Sequence, residues 1–349
     1  MAGNPNPIQS GNVGQSGDKS MEVALATKMQ LILDQPMTDV STGLVNRDFE
    51  GDFFKIGDTV AIVKPDISTL AIEFGTISGE TGSNGRGGAT GYNTKDARLE
   101  PTNVSFSKQT MTIDKFTKYA FVISDLTELE GRWNYESGNL DAVASEIRKR
   151  HNRETLKLVL EDNNVEALEI NGRQSTASAP EQLVSGDDIY EQVIVPMFAK
   201  LYNNGAITAD GQITYGSNSQ QGKSTHACLY VPTEVYTKLL LSKYLQDRAT
   251  VAADEKVESG KVKTIMGFDI MIEPSLDKKA ARPVDVTGLA QGGLCIVAGT
   301  RNAVTRAGKV LPPDKFRSHK YFADEYHGME IYAEKVIEPK AVVKAFITL

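Results

Sequence analysis

The pattern of apolar and polar positions predicts one long helix in the middle of the chain, over residues 139–163. Its apolar side chains recur at helical spacing and fall on two sides of the helical wheel. One side carries Leu140, Val143, Ala144, Ile147, His151 and Leu158, and the other carries Leu156, Val159 and Leu160. At about 1.5 Å per residue, this helix is about 37 Å long. We interpret it as a structural spine, capped by Ser137 or Asn139, with neighbours on both faces.

Before the spine, the period of the pattern changes to two, which predicts β-strands between Phe53 and Ile113. The alternating runs flank a segment, 75–91, that has seven glycines among seventeen residues. An isolated two-stranded ribbon is only marginally stable in water. We therefore predict an extended β-hairpin whose tip lies on a partner molecule. The alternative is a long disordered insertion in a compact domain.

The start of the chain has little to bury. Residues 1–20 are mostly Gly, Asn, Ser and Pro, which cannot offset the entropy of becoming ordered. We expect a disordered tail, or a tail that is ordered only on another molecule. Residues 21–34 predict a short amphipathic helix with Val23, Met29 and Leu33 among its apolar positions.

Short strands and helices are predicted around the spine. The strands lie at 119–123, 227–231, 294–298 and 303–305, and two more flank Gly267. Asn171-Gly172 predicts a turn, followed by a polar loop over 173–187. Asp187 or Asp188 is expected to cap a helix over 189–203 that ends at Asn204-Gly205, and Pro232 to begin a helix through Leu241.

The end of the chain returns to strands, at 329–334 and 342–347. In residues 329–334, Met329, Ile331 and Ala333 alternate with Glu330, Tyr332 and Glu334. We expect both strands to lie beside the early strands at 111–124, against the spine. The mixed segment at about 175–315 is then an inserted α/β domain.

Composition narrows the class of protein. The chain has 349 residues, 40% hydrophobic and 24% charged, as in ordinary globular proteins, and is long enough for two domains. Its net charge of −7 argues against a dedicated nucleic-acid binder, which needs a basic surface, but not against a protein that encloses nucleic acid. Cys228 and Cys295 lie in apolar strand-like runs and are interpreted as buried hydrophobic residues. We see no membrane-length apolar run and no signal-peptide pattern, so we expect a cytoplasmic protein before assembly.

No motif predicts catalysis. The segment 216–225 ends in Gly-Lys-Ser, but five residues separate its glycines where a phosphate-binding loop needs four. A strand pattern follows it rather than a helix, so we predict a hairpin loop. Asp324, Glu325 and His327 crowd together as a metal site would, but a solvated loop is the plainer interpretation.

The remaining polar residues of interest lie on the spine. His151 falls on its apolar side, which favours a hydrogen-bonded core histidine over a metal ligand. Arg148-Lys149-Arg150 predicts a solvated helix face with paired acids, and contact with enclosed nucleic acid is the alternative. We expect no enzyme activity, no cofactor and no metal.

The order of these parts carries a resemblance. Three stretches contribute most: Lys55–Val60 with Met111–Lys115 at the hairpin base, Ile123–Leu126 before the spine, and Gly260–Val262 with Gly267–Ile270 and Val297–Val304. Gly328–Tyr332 and Val336 suit closing strands. Over residues 45–349, this order resembles the major capsid proteins of tailed bacteriophages, whose shell fold is of the Hong Kong 97 type.

The resemblance implies an α+β fold in four parts: an N-terminal arm over 1–50, an extended β-hairpin loop over 51–110, a peripheral domain over 111–172 and 316–349 that contains the spine, and an axial domain over 173–315. It also implies subunit-contact residues at the hairpin tip, which are Gly79, Asn84, Gly85, Arg86, Gly88 and Tyr92.

The resemblance implies a structural protein that self-assembles from pentamers and hexamers into an icosahedral shell around double-stranded DNA, without sequence-specific binding. The implied location is the virion capsid, after assembly in the host cytoplasm. Scaffolding, portal and decoration proteins are further candidate partners, and no membrane is involved. The alternatives are an encapsulin-type nanocompartment shell around a cargo enzyme, and an unrelated α/β enzyme.

Overall fold

We describe the fold from a computed structural model of the chain. The structure describes residues 40–47, 57–65, 106–125, 135–213, 226–246, 264–311 and 313–349. These residues belong to two compact units, of which the smaller lies between Thr59 and Met111 and the larger comprises the residues up to Asp58 and from Thr112 onwards. The predicted N-terminal tail, the helix at 21–34 and the hairpin tip lie outside the described residues.

The smaller unit contains a two-stranded sheet. Strand β2 (Thr59–Pro65) pairs with strand β3 (Phe106–Thr112). Ile62 and Met111 are buried, at 4% and 3% exposure. The predicted pairing of the two ends of the hairpin segment is therefore confirmed.

Within the larger unit, a five-stranded sheet is organised around one long strand. It consists of β1 (Val45–Asn46), β4 (Lys115–Ser124), β13 (Val304–Val310), β14 (Asp314–Arg317) and β15 (Ala323–Val336). Along one edge β15 pairs with β4, and along the other it pairs with β14 and then with β13. The predicted strand at 119–123 is confirmed as part of β4.

The larger unit also contains a seven-stranded sheet. Its strands are β5 (Glu166–Ala167), β8 (Glu181–Gln182), β9 (Cys228–Val231), β10 (Thr264–Ile265), β11 (Phe268–Ile272), β12 (Leu294–Gly299) and β16 (Val342–Thr348). They follow the order β10-β11-β9-β12-β16-β5, and β8 also pairs with β16. Every residue of β9 and β12 is buried, because apolar clusters cover both faces of the sheet.

The predicted placement of the last strand was wrong. β16 pairs with β12 in the seven-stranded sheet rather than with β4. Likewise β13, which we expected in the same domain as β12, lies in the five-stranded sheet. The neighbours of β13 explain why it lies in this sheet. Val304 is buried in the apolar cluster that includes spine residues, and residues Val304 through Val310 pair with β15. The earlier closing strand, within β15, does lie beside β4 as expected.

The spine is helix α2 (Tyr135–Glu161), which has 27 residues and a length of about 40 Å at about 1.5 Å per residue. It begins four residues before the predicted start and includes Gly138, so the predicted cap at Ser137 or Asn139 was wrong. A glycine in the first turn is tolerated there, since the first amide groups of a helix have no intrahelical partner. The helix ends two residues early, where Asp162 Oδ1 accepts from the Asn164 amide at 2.8 Å.

Both apolar faces of the spine are covered, as predicted. On one side, Ala144, Ile147 and His151 are at most 5% exposed. On the other side, Leu156, Val159 and Leu160 are at most 3% exposed and pack in the cluster under the seven-stranded sheet. The spine therefore packs against both sheets of the larger unit.

The helix predicted over 189–203 is built in three parts: α3 (Gly186–Ile189), a π-helical turn (Tyr190–Ile194) and α4 (Val195–Asn203). The predicted cap was wrong, because Ser185 is the N-cap and Asp188 completes a capping box with it. Pro196 has no amide hydrogen to donate to the preceding turn, which fits the wider π turn at this point. Asn204-Gly205 ends the helix as predicted, with φ of 69° at Gly205.

The predicted turn at Asn171-Gly172 and the two predicted strands around Gly267 are confirmed, and each forms a hairpin. Asn171 and Gly172, both at positive φ, join β6 (Glu169–Ile170) to β7 (Arg173–Gln174). Met266 and Gly267, also at positive φ, join β10 to β11. Two central residues at positive φ match the twist of the paired strands. The predicted loop at 173–187 holds two short strands, β7 and β8.

The remaining helices are short: α1 (Val40–Gly43), α5 (Thr233–Leu240), α6 (Lys243–Gln246) and two 3₁₀ turns (Pro274–Leu276, Pro339–Ala341). Pro232 is the N-cap of α5 and not part of its first turn. Among the described residues, no helix has the length and apolar character needed to cross a bilayer.

Replacing Gly186 with alanine is expected to destabilise the larger unit by about 1–3 kcal/mol. A methyl group at this position in α3 would overlap the backbone carbonyl of Lys238 in α5, and backbone cannot rotate away. Urea unfolding measures the loss. Thr237→Ala, on the exposed face of α5, is the control and is expected to leave stability unchanged; equal stability of the two variants would contradict the packing described here.

Candidate functional site

A buried cluster of charged side chains joins the spine to the five-stranded sheet. Arg306 on β13 reaches two acids of β15: its Nη2 is 3.1 Å from Glu330 Oε1 and its Nε is 3.6 Å from Glu334 Oε1. From α2, Thr155 Oγ1 donates to Glu334 Oε1 at 3.0 Å, and His151 accepts from Arg306. All five side chains are at most 9% exposed.

Strand geometry brings these groups together. Side chains two residues apart on a strand share a face, so Glu330, Tyr332 and Glu334 all point the same way. Arg306 is the cross-strand partner of Glu334. The spine covers this face, and the Tyr332 hydroxyl donates to Glu154 on α2. The strand pattern alone did not identify the cluster, because alternation of polar and apolar residues is the same for a solvated and a covered face.

The electrostatics of the cluster are those of a structural site. Burial raises the pKa of Glu330, but contacts with His151 and the charge of Arg306 outweigh it and hold this pKa below its usual value. Glu330 is therefore ionised at neutral pH. Burial and the nearby charge of Glu330 raise the pKa of Tyr119 to about 12. The buried charges pair with one another, which supports packing rather than general acid–base chemistry.

A second buried charge closes the end of the spine. Lys344 on β16 is 7% exposed, and its Nζ donates to the carbonyls of Leu160 and Asp162 at 2.8 and 2.7 Å. A cation at this end satisfies open carbonyls and complements the helix dipole. Burial lowers the pKa of this amine.

A cavity of about 630 Å³ lies beside this helix end. Several polar side chains of its lining are already engaged in the protein: Ser175 Oγ donates to the Leu168 carbonyl, and Glu161 accepts from the amide and hydroxyl of Thr287. We assign the cavity no binding role.

Among the described residues of the larger unit, several exposed large apolar side chains form two groups, and we name each group by its location. The tip patch consists of Val122, Phe316, Tyr321 and Phe322 around the β14–β15 connection, with exposures of 54%, 40%, 70% and 85%. Val122 and Phe316 flank Glu325 from the two neighbouring strands.

The helix-end patch consists of Val184, Leu241 and Tyr244, with exposures of 72%, 70% and 47%. It lies where α3 meets the ends of α5 and α6, and Asp187 ties these elements by accepting from Ser242 and Lys243 at 2.7 and 2.8 Å. Exposed apolar clusters of this kind mark contact surfaces more often than scattered single residues do.

Several sequence predictions are settled by the described residues. His151 is a buried core histidine, and Lys149 and Arg150 pair with Glu146 and Glu154 at 3.0 Å on the solvated face of α2, both as predicted. Cys228 and Cys295 are buried free thiols, as predicted. Burial raises the pKa of Cys295 to about 12, so this thiol stays protonated at neutral pH.

The predicted loop around Asp324 and His327 was wrong, since both residues lie on β15. Asp324 pairs with Lys315 at 3.2 Å, which uses its charge within the sheet. In the part of the chain that the structure describes, no group of three potential metal ligands occurs. The segment 216–225 lies outside the described residues, so its rejection as a phosphate-binding loop stays a prediction.

The predicted hairpin-tip contact residues lie outside the described part of the chain. They are Gly79, Asn84, Gly85, Arg86, Gly88 and Tyr92. The exposed apolar patches that the structure does describe, the tip patch and the helix-end patch, were not predicted. A single exposed aromatic residue in a strand or loop has no signature in a sequence pattern.

No protein-family model matches the sequence. No curated protein matches it either. Solved structures do match in fold. A structure from Mycobacterium phage Che8 shares 16% identity at a TM-score of 0.56, covering 89% of this chain and 92% of that one. The capsid of cyanophage P-SCSP1u shares 12% identity at a TM-score of 0.53, covering 90% and 89%. The capsid of Ralstonia phage GP4 shares 10% identity at 0.51, covering 90% and 92%.

Similarity at this low identity establishes the fold. The chain has the α+β fold of the Hong Kong 97-like capsid proteins, as the sequence resemblance implied. Each match covers about nine tenths of both compared chains, so the similarity is not limited to one sheet.

Replacing Arg306 with methionine is expected to destabilise the larger unit by about 3–5 kcal/mol, because it leaves two buried carboxylates without their cation. Arg317→Met is the matched control. Arg317 contacts Asp125 and Asp324, but its side chain is 52% exposed, so solvent screens these pairs and its loss is expected to cost much less than the loss of Arg306. Denaturant unfolding measures the free energy of unfolding of both variants. A similar loss in the two would show that the buried cluster does not stabilise the larger unit more than an exposed ion pair does.

Proposed function

We propose that this protein is a major capsid protein, a structural subunit that assembles with copies of itself into a closed icosahedral shell around phage genomic DNA. The single observation that carries the proposal is the fold, which matches phage capsid structures over about nine tenths of both chains. A match of this extent to shell subunits, rather than to enzymes, favours a structural role over a catalytic one.

The two exposed apolar patches support this function. A subunit of a closed shell must contact several neighbours, and stable interfaces bury about 1,200–2,000 Å² each. The tip patch and the helix-end patch lie on different parts of the larger unit, around the five-stranded and the seven-stranded sheet respectively. We propose that each patch meets a different copy of the chain.

The proposal includes the four-part division of the chain. In it, residues 1–50 form an arm, 51–110 the extended hairpin loop, 111–172 with 316–349 the peripheral domain, and 173–315 the axial domain, while β16 crosses into the sheet of the axial domain and β13 into that of the peripheral domain. The axial domains meet in pentamers and hexamers. The hairpin tip lies on the adjoining subunit through Gly79, Asn84, Gly85, Arg86, Gly88 and Tyr92.

The proposed content of the shell is double-stranded DNA, held without sequence-specific binding. A net charge of −7 is compatible with enclosing DNA without strong adhesion. Assembly takes place in the host cytoplasm, where scaffolding, portal and decoration proteins are the candidate additional partners. The protein ends in the virion capsid.

Purified full-length protein, imaged by negative-stain electron microscopy, tests the central claim. Closed particles of uniform size are expected. A monomer at high concentration would refute it. Mass spectrometry and nuclease digestion of particles from the native source then separate two outcomes: protected DNA supports a capsid, and a co-purifying enzyme supports a nanocompartment shell.

The double substitution Tyr321→Ser with Phe322→Ser is expected to reduce particle yield at least about tenfold, since a tenfold loss corresponds to about 1.4 kcal/mol per contact. The subunit is expected to stay folded, because both side chains are mostly exposed. Circular dichroism checks folding, and sedimentation measures assembly. Tyr202→Ser, at an exposed position outside both patches, is the control; normal shells from the double variant would exclude the tip patch as a contact.

Removing Gly75–Gly91 is expected to leave a folded subunit that no longer forms closed particles, because the proposed contact with the adjoining copy is lost. Circular dichroism and electron microscopy are the two readouts. The control replaces the segment with a Gly/Ser linker of equal length, which is also expected to fail. Normal shells from either variant would show that the hairpin tip has no role in assembly.

A further inference from the structure

His151 occupies an unusual position in the buried cluster. It lies within α2 at 2% exposure, with its ring centroid 4.8 Å from that of Tyr332. Its Nδ1 contacts Arg306 Nη2, and its Nε2 lies 3.1 Å from Glu330 Oε2. The imidazole therefore stands between the cation and an acid that β13 and β15 supply.

These contacts define the protonation state of His151. A guanidinium group has only donors and does not lose its proton in proteins. Nδ1 must therefore accept from Arg306, which places the single proton of the neutral ring on Nε2, facing Glu330. A second proton has to bind at Nδ1, where it would point directly at the N–H group of Arg306.

We propose that His151 is a pH-sensitive latch that holds the spine against strands β13 and β15 at neutral pH and loosens this junction when protonated. Protonation at Nδ1 expels the Arg306 donor from its acceptor. Since Arg306 also holds Glu330 and Glu334, its displacement disturbs the whole contact between helix and sheet. The latch is a property of the folded subunit and does not depend on the proposed function.

The surroundings of His151 contain charges of both signs. The charged and titratable groups in this cluster, by element, are Arg150 and Glu154 on α2, Arg306 on β13, Glu330, Tyr332 and Glu334 on β15, Lys115 and Tyr119 on β4, and Arg47 after β1. Glu330 and Glu334 favour the charged imidazole. Burial and the charge of Arg306 oppose it and prevail, so the pKa of His151 lies below its usual value.

The direction of the pH effect follows by linkage. Below about pH 6.5, the unfolded chain binds a proton at His151 that the folded state still rejects. Stability from this group is thus fully present above that pH and is lost as the pH falls towards the lower pKa of the folded state. Protonation of Glu330 acts in a separate window, below its usual value of 4.5.

The test compares the full chain at pH 7.5 and 5.5 by urea unfolding. His151 alone is expected to lower the folding equilibrium constant by up to about tenfold over this interval. His151→Gln retains an acceptor and a donor but cannot be protonated. Its stability is therefore expected to lack the part of the change between pH 7.5 and 5.5 that is due to His151. His327→Gln, with its exposed side chain on β15, is the control and is expected to keep the wild-type pH dependence.

A second measurement on the wild-type protein keeps the test decisive if the Gln variant folds poorly. Nitrogen-15 NMR of the imidazole rings is expected to show His151 as the Nε2–H tautomer at neutral pH, titrating below pH 6.5. Amide protection in α2, corrected for intrinsic exchange, is expected to fall when it titrates. A His151 that titrates at or above pH 6.5, or unchanged protection on titration, would overturn the proposal.

Discussion

The packing of one long helix against two different sheets is the constraint on which the larger unit depends. At one end of α2, Leu156, Val159 and Leu160 enter the apolar cluster beneath the seven-stranded sheet. Towards its other end, Ala144, Ile147 and His151 face the five-stranded sheet. Burial of apolar surface contributes about 25 cal/mol per Å². The same helix thus stabilises both sheets.

The two contacts differ in character. The contact with the seven-stranded sheet is mainly apolar and non-directional, apart from Lys344, whose ammonium group donates to the last carbonyls of the spine. The contact with the five-stranded sheet includes the Arg306 cluster, in which fixed donors and acceptors must meet at defined distances. A paired buried charge adds little net stability, but misplacing it is costly. The cluster therefore acts mainly on the register between helix and sheet.

The fold relates these internal contacts to the proposed role. The packing of the spine against both sheets leaves the tip patch and the helix-end patch on the surface of the larger unit, each presenting apolar side chains to solvent. A subunit that assembles needs such patches held in fixed relation, since interface geometry is repeated in every copy of a symmetric assembly. Dense internal packing and exposed apolar side chains are two requirements of the same proposed function.

Much of this could be predicted from local pattern. Helical spacing identified the spine, alternation identified β4, and Asn171-Gly172 identified its turn, because each depends on neighbouring residues in the chain. The resemblance in the order of parts identified the fold class. Predictions of helix caps failed by a few residues, since Ser185 competes with Asp187 and Asp188 as a cap and only geometry selects between them.

The tertiary structure alone decided which strands share a sheet and which polar residues are buried. β16 and β13 exchanged places relative to our expectation, because pairing between distant strands is set by total packing and not by local pattern. Glu330 and Glu334 have the alternation of a solvated face, yet α2 covers them. The sequence by itself determined the elements and the spine, whereas the position of that helix over the sheet determined the charge cluster.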